Sequence, residues 1–322
     1  MLLVCYVYSW KQYSMNQTKS GITVCFAYFL ETRYTESSCR NRKDNTHELE
    51  NDNATGGLLR GCNTERNPCM KIQNYVLAES LEQAYQLNQN KRNCVLGGMM
   101  WLRLSDRQIH TAIDLSGLEL DQIQETEEEF SIGAMVTLRQ LEKHSGFLAY
   151  TNGACREALK DIVGVQFRNS ATLGGSLVGR FGFSDVFTFF LALDAYVELY
   201  QGGLIPIAAF RDRPMDRDIL VRVVVKKREL RVGYQSMRNT KTDFPVLAVC
   251  AAKWEDQYHV AVGARPGKAV LLMLPGEIQE PGTYVSSHIN TQSNMRGSAA
   301  YRKQLARVLT DRAIADCDKS SS

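Results

Sequence analysis

Hydrophobic and polar positions divide the chain sharply at Met70. Residues 1–69 carry no sustained period of 2 or 3.6, and Thr35 to Pro68 is almost wholly polar, with Asn, Glu, Arg and Thr intermixed. Such a stretch cannot bury enough surface to offset its ordering entropy. It is expected to be disordered, or to be an upstream stretch attached through a wrongly chosen start codon. Met70-Lys71-Ile72 then opens a domain. Ser80-Leu81-Glu82-Gln83 reads as a capping box, and Leu81, Ala84, Tyr85 and Leu87 continue one helical face to a turn over Asn88 to Asn93. Cys94-Val95-Leu96, Ala112-Ile113-Asp114-Leu115 and Phe130 to Ala134 are short strands, the last two separated by the acidic run Glu125 to Glu129, expected to be a solvated turn. Thr137-Leu138-Arg139-Gln140 starts a helix, and a second is expected over 153–163. Ser184-Asp185 caps an apolar helix over 186–193, whose Phe187, Phe189 and Phe190 read as core. Tyr196 to Tyr200 is a strand, and Arg211 to Asp218 a polar loop.

The remainder is strand-rich. Ile219 to Lys226, Leu230 to Met237, Val246 to Ala252 and His259 to Val262 alternate or run apolar, followed by a turn at Gly263 to Gly267 and a polar segment over 286–294. Ser298 to Ala313 is an amphipathic helix, expected to turn Tyr301, Leu305, Val308 and Leu309 inward and Arg302, Lys303, Arg307 and Arg312 outward. Strands plus a terminal helix predict a separate α+β lobe.

Two glycine pairs interrupt apolar runs: Leu96-Gly97-Gly98-Met99-Met100-Trp101 and Thr172-Leu173-Gly174-Gly175-Ser176. Paired glycines let a backbone turn tightly and bring amide N–H groups against an anion with no Cβ in the way. Two such turns could hold the two phosphates of a dinucleotide between them, although a Gly-Gly by itself is more often only a turn. Asn169 is expected to help the second turn, and Thr172 can offer its hydroxyl to a phosphate oxygen.

At 322 residues the chain allows about two domains. A formal net charge of +3 is small for that length and argues against a nucleic-acid surface. No apolar run reaches the roughly 18 residues of a membrane span, and Met1 to Trp10 lacks the features of a signal peptide, so a cytoplasmic location is expected. Cys5, Cys25, Cys39, Cys62 and Cys69 have irregular spacings that match neither a zinc ribbon nor a ferredoxin run. Cys94, Cys155, Cys250 and Cys317 sit among apolar neighbours and read as small core residues. The histidines His47, His110, His144, His259 and His288 show no metal spacing.

Together, the order Gly97-Gly98 before Leu102, then Arg168-Asn169-x-Ala171-Thr172-x-Gly174-Gly175, then Ser184-Asp185 leading into an apolar helix and Leu193-Asp194-Ala195, resembles the FAD-binding subunit of the xanthine dehydrogenase family of molybdenum hydroxylases. It is similar also to the medium subunit of carbon monoxide dehydrogenase. The resemblance runs from about Met70 to about Ala315. It implies an α+β fold: a two-lobed flavin-binding domain of the PCMH type over 70–222, a small C-terminal lobe of antiparallel sheet plus helix over 223–316, and a tail over 317–322. It implies FAD as cofactor, with Leu96 to Trp101 and Thr172 to Ser176 at the pyrophosphate and ribityl chain and Asp185 at the nucleotide end, unless Asp185 is only part of a helix cap. Ile162 and Leu220 fall where the family places apolar residues beside the cofactor. Two departures stand out. Many relatives have Thr-Asp where this chain has Met99-Met100, and some carry a flavin-facing lysine where this chain has Gln235. The partners implied are a large molybdenum-cofactor subunit, a small [2Fe-2S] subunit, and NAD or another electron acceptor. No iron-sulfur insert and no molybdenum-cofactor feature is visible in the chain itself. A self-contained flavin oxidoreductase and a flavin-free scaffold subunit remain as alternatives.

Overall fold

A computed structural model describes residues 70–214 and 216–319, together with the backbone of two short paired strands, β1 (Gln17–Thr18) and β2 (Gly21–Ile22). The expectation for residues 1–69 therefore falls outside the described residues, as do their five cysteines and His47.

The first lobe is a parallel sheet in the order β3 (Lys71–Leu77), β5 (Gln108–Asp114), β4 (Cys94–Leu96), with α1 (Leu81–Asn88) joining β3 to β4. Ser80 caps α1 by accepting from Gln83 N–H, while the Gln83 side chain reaches back to Glu79 N–H, one residue before the cap. The second lobe is built on an antiparallel sheet in the order β6 (Ile123–Glu125), β7 (Glu129–Gly133), β10 (Leu220–Lys226), β8 (Ala195–Leu199), β9 (Gly203–Pro206). The acidic run is the β6–β7 hairpin turn as expected, and its ends are neutralised by Lys227 on Glu125 and Lys226 on Glu129. Strand β10 runs across the expected 222/223 boundary, because its backbone is paired to β7 and β8 as far as Val225 and beyond.

Helices cover one face of this sheet. They are α2 (Leu138–Lys143), α3 (Ser145–Tyr150), α4 (Ala154–Leu159), α5 (Val165–Ser170), α6 (Leu173–Val178), α7 (Asp185–Ala192) and α8 (Ile207–Asp212). Thr137 and Gln140 form the complete capping box of α2. The helix expected over 153–163 is the shorter α4. Helices α3 and α5 were not anticipated, since six residues are less than two turns and leave no readable period. Asn169 accordingly lies inside α5 and not in a turn. Helix α7 is buried along its whole length, and Phe147, Phe189 and Phe190 pack ring on ring beneath it, so these aromatics are core.

The C-terminal sheet is a four-stranded meander, β11 (Arg231–Met237), β12 (Leu247–Trp254), β13 (Gln257–Gly263) and β14 (Val270–Pro275), followed by α9 (Pro281–His288) and α10 (Ala299–Asp318). It has no core of its own on one side. Val232, Tyr234, Ala248, Cys250, Ala252 and Ala261 join the same apolar cluster as α4 and α7, while Leu247, Val249, Ala251, Val260 and Val262 face α10. Small residues on the first face let α7 come close: a Cβ on Gly263 would stand 2.0 Å from Thr188 Oγ1. The expected separate lobe is thus fused to the first domain through a shared core. Strand β14 was not anticipated, and α9, which has Pro281 in its first turn, runs into the expected polar segment over 286–294.

Helix α10 corrects the expected facing. Tyr301 is exposed, and Arg302 is fully buried. Its guanidinium donates to Val246 O at 2.9 Å, Gln292 O at 2.7 Å and Asn294 Oδ1 at 2.6 Å, so a fan of acceptors from the residue just before β12 and from the preceding loop takes up a charge that periodicity alone would leave in solvent. Cys155, Cys250 and Cys317 are buried thiols and Cys94 is half-buried.

Candidate functional site

The three parts of the fold meet at a cavity of about 830 Å³. This lies within the range of roughly 300–1,000 Å³ common to small-molecule and cofactor sites. Its wall contains Leu96 to Trp101, Ile162, Thr172, Gly174, Gly175, Ser176, Asp185 and Leu220. Gln235 is not among them. Strand β11 alternates, and Gln235 shares the face of Gly233, which abuts α10; its Nε2 donates to Asp316 Oδ2 at 2.6 Å. Tyr234 is the residue that points back toward the first domain.

The two glycine pairs touch each other. A Cβ on Gly98 would stand 1.8 Å from Ser170 O, and one on Gly97 would stand 2.8 Å from Thr172 Oγ1 and 3.5 Å from Gly175 Cα. Their first use is therefore to let two backbones pack without side chains between them. The second pair is not a loop but the first turn of α6, with Thr172 as N-cap. Its amides are already taken: Leu173 N–H by Val136 O and Gly174 N–H by Ala134 O, each at 2.8 Å, Gly175 N–H by Thr172 Oγ1 at 3.2 Å, and Ser176 N–H by Thr172 O at 3.1 Å. What remains there for a ligand is the Thr172 hydroxyl proton and the surface left open by Gly175. The first pair differs. Among the described residues nothing accepts from the N–H groups of Gly97, Gly98, Met99, Met100 or Trp101. They are free backbone donors in the cavity wall.

Met99 and Met100 divide their side chains, Met99 packing on the core of the parallel sheet and Met100 on the main core. The loop is thus anchored by apolar contact on both sides. Met99 adopts a left-handed backbone (φ 58°), as does Val163 (φ 50°) across the cavity. A β-branched residue in that region is strained, and such strain persists only where surrounding structure enforces it. Arg168 supplies the enforcement beside Val163. Buried, it grips Glu142 with Nε at 2.9 Å and Nη2 at 3.2 Å, and its Nη1 holds Ile162 O at 3.1 Å. The motif arginine therefore positions the cavity rim. Burial works to raise the Glu142 carboxyl, but Arg168 and Arg139 outweigh it and hold the group below the usual carboxylate value. Arg217, from the segment before β10, fixes the approach to the first glycine pair by donating to Asn88 Oδ1 at 3.0 Å and Asn93 O at 2.8 Å.

Asp185 is not itself the cap of α7. It is the first residue of α7, next to the cap Ser184, and it is buried in the cavity wall. Its Oδ1 accepts from Tyr234 Oη at 2.5 Å and from Arg238 Nη2 at 2.7 Å. Burial dominates and raises its carboxyl above the usual carboxylate value, a rise that the Arg238 charge and the two hydrogen bonds only partly offset. At the cavity mouth Trp101 lies against Phe244 with ring centroids 5.5 Å apart and against the edge of Phe167 at 5.7 Å; Phe183 meets Phe244 at 4.4 Å. Arg238, Phe244, Phe167 and Arg217 were not foreseen. Phe244 and Arg238 come from a different domain, more than 60 positions from the second glycine pair, with no local pattern to mark them.

Residues 70–227 match the family described as the FAD binding domain in molybdopterin dehydrogenase. This part of the chain belongs to that family. The chain is 26% identical over 260 residues to the uncharacterized protein YgfM of Escherichia coli (strain K12), covering 77% of this chain and 98% of that protein. Its fold is that of a chain in carbon monoxide dehydrogenase from Hydrogenophaga pseudoflava (20% identity, 76% of this chain and 96% of that one, TM-score 0.66). It is likewise that of a chain in quinoline 2-oxidoreductase from Pseudomonas putida 86 (20% identity, 76% and 96%, TM-score 0.66). The carbon monoxide dehydrogenase of Oligotropha carboxidovorans gives 19% identity, the same coverage and a TM-score of 0.67. The FAD-binding domain fits its cofactor on the cavity's own terms. Free amides, a hydroxyl, a buried carboxylate and a glycine-lined wall suit a phosphate-bearing dinucleotide, and aromatic and aliphatic rims suit a flat ring. Among the described residues no group of three metal-ligating side chains occurs, and no helix is long and apolar enough to cross a membrane.

Proposed function

We propose that the chain is the FAD-binding, electron-transfer subunit of a molybdenum hydroxylase. In this reading the amides of Gly97 to Trp101 and the Thr172 hydroxyl hold the pyrophosphate and ribityl chain, Asp185 holds the nucleotide end, and Ile162 and Leu220 lie beside the ring. The observation that carries the reading is the convergence of these residues, from three parts of the fold, on one cavity within a domain of an FAD-binding family. Bound FAD would supply the exchange between one-electron and two-electron carriers. The chain's own work is to bind, orient and shield the cofactor; it needs no catalytic acid for that. Electrons would arrive from [2Fe-2S] clusters on a small partner, fed by a large subunit that oxidises substrate at a molybdenum cofactor. They would leave to NAD or another acceptor. Oxidation of a purine, as in xanthine dehydrogenases, is the substrate class proposed for that partner. The likeness to carbon monoxide dehydrogenase and quinoline 2-oxidoreductase chains supports a place in such an assembly. The test is co-expression of the full chain with candidate partner subunits encoded beside it, followed by purification and a visible spectrum before and after substrate. A yellow complex whose flavin absorbance bleaches on addition of substrate supports the reading. A complex that forms without flavin, or a yellow chain that joins no partner, overturns it in favour of a scaffold or of a self-contained flavoenzyme, respectively.

A further inference from the structure

We propose that the β11–β12 connection, Arg238 to Phe244, is a clasp that retains the flavin nucleotide, and that Arg238 is the residue that positions it; this rests on the FAD reading above. Among the described residues, Arg238, Thr242, Asp243 and Phe244 are the cavity wall contributed by the C-terminal sheet and its connections. The stretch is fastened to the first domain at both ends. At its start, Arg238 pairs with Asp185 through Nη2 at 2.7 Å, and Tyr234 on the same strand shares that carboxylate oxygen. At its end, Phe244 lies between Trp101 of the first glycine loop and Phe183 of the loop before α7. Arg238 also fixes the connection internally, donating from Nη1 to Asp243 O at 2.6 Å, and Arg296 holds the Asp243 carboxylate at 3.0 Å.

One guanidinium thus links a carboxylate of the first domain to the backbone of the connection. A planar fork with several fixed donors can do both at once, which an ammonium cannot match in the same geometry. The Arg238 side chain is 7% exposed, and the residue lines the cavity. The connection therefore closes one side of the cavity, and it can open only by breaking the Asp185 pair at the base and the Phe244 stack at the mouth. Release of the cofactor and loosening of this connection become one event, so the effect belongs mainly to the dissociation rate.

The experiment is the rate of FAD release from the full-length chain, followed by the recovery of flavin fluorescence on dilution, with thermal unfolding of each apo protein measured in parallel. Phe244→Ala opens the mouth without leaving a buried charge. The double variant Asp185→Asn with Arg238→Gln removes the pair without stranding either partner, and Arg238→Lys keeps the charge but not the fork. Release accelerated by about ten-fold or more in Phe244→Ala and in the double variant, with Arg238→Lys intermediate and the apo unfolding temperature of Phe244→Ala little changed, is the expected result. Release from Phe244→Ala at the wild-type rate overturns the clasp, whatever the stability of the other variants. A wild-type chain that takes up no FAD overturns the FAD reading itself, a result separate from a wild-type chain that binds and variants that release no faster.

Discussion

Replacing Gly98 by alanine asks whether the first glycine pair exists to let two backbones touch. The added Cβ would stand 1.8 Å from Ser170 O, 2.6 Å from its carbonyl carbon and 2.8 Å from Ala171 Cα, all backbone atoms. Those atoms cannot retreat cheaply. Leu138 N–H to Ala171 O, Leu173 N–H to Val136 O and Gly174 N–H to Ala134 O, each 2.8 Å, fasten the segment to the strand-to-helix connection before α2. Relief must come from the loop, which has to withdraw until 1.8 Å becomes at least 3.0 Å, taking Met99 and Met100 out of two cores at once. Overpacking costs about 1–3 kcal/mol, and the rigid surroundings place this case near the upper end. At about 3 kcal/mol the apo unfolding temperature should fall by roughly 6–12 °C for a unit of this size. The withdrawn amides should also weaken FAD binding by about ten-fold for each 1.4 kcal/mol lost. Differential scanning fluorimetry of the apo chain and a flavin-fluorescence titration measure the two effects. An apo unfolding temperature within about 1 °C of wild type would refute the close-approach argument, and an FAD affinity within about two-fold would refute the role of the loop amides.

The two glycine pairs should not behave alike. A Cβ on Gly175 meets only Thr172 Oγ1, at 3.1 Å, so Gly175→Ala should leave the apo fold intact or raise its stability by up to about 1 kcal/mol through helix propensity. The methyl lines the cavity, and titration should show FAD affinity reduced by about ten-fold. Gln235→Ala should leave FAD affinity unchanged in the same titration, since its side chain is engaged with Asp316 on the opposite face of β11; a large loss would place the strand's flavin-facing residue wrongly. His259 gives a pH test. It is stacked on Trp254 at 3.5 Å, and burial first, then the Arg228 charge, pushes its pKa from 6.5 down to about 4. The unfolded chain then binds the proton more readily, so stability from this residue is complete above pH 6.5 and is lost as pH falls toward about 4. Urea midpoints across that window should drop for wild type more steeply than for His259→Phe, and parallel slopes would rule this account out.

Much of the site could be read because its determinants are local. A capping hydroxyl, a glycine pair after a short strand and a carboxylate opening an apolar helix each depend on neighbours within a few residues, so Thr137, Ser184 and Asp185 stand where their sequence context puts them. Resemblance supplied the rest of the cavity list, and all of it except Gln235 lines one space. Gln235 lies outside that space for a simple reason: a strand has period 2, and an offset of one residue turns a side chain to the other face. The same limit explains Arg302, whose burial depends on acceptors gathered from Val246, Gln292 and Asn294, none of them on its own helix. Sequence by itself determined where the capped helices α1, α2, α7 and α10 begin, which runs are apolar, and where two glycine pairs interrupt them. Only tertiary structure decided that the glycines face each other, that the second pair's amides are already used, and that Arg238 and Phe244 close the cavity from another domain. Those facts rest on contacts between segments far apart in the chain, and such contacts are fixed by packing and charge pairing across the shared core and not by any local pattern.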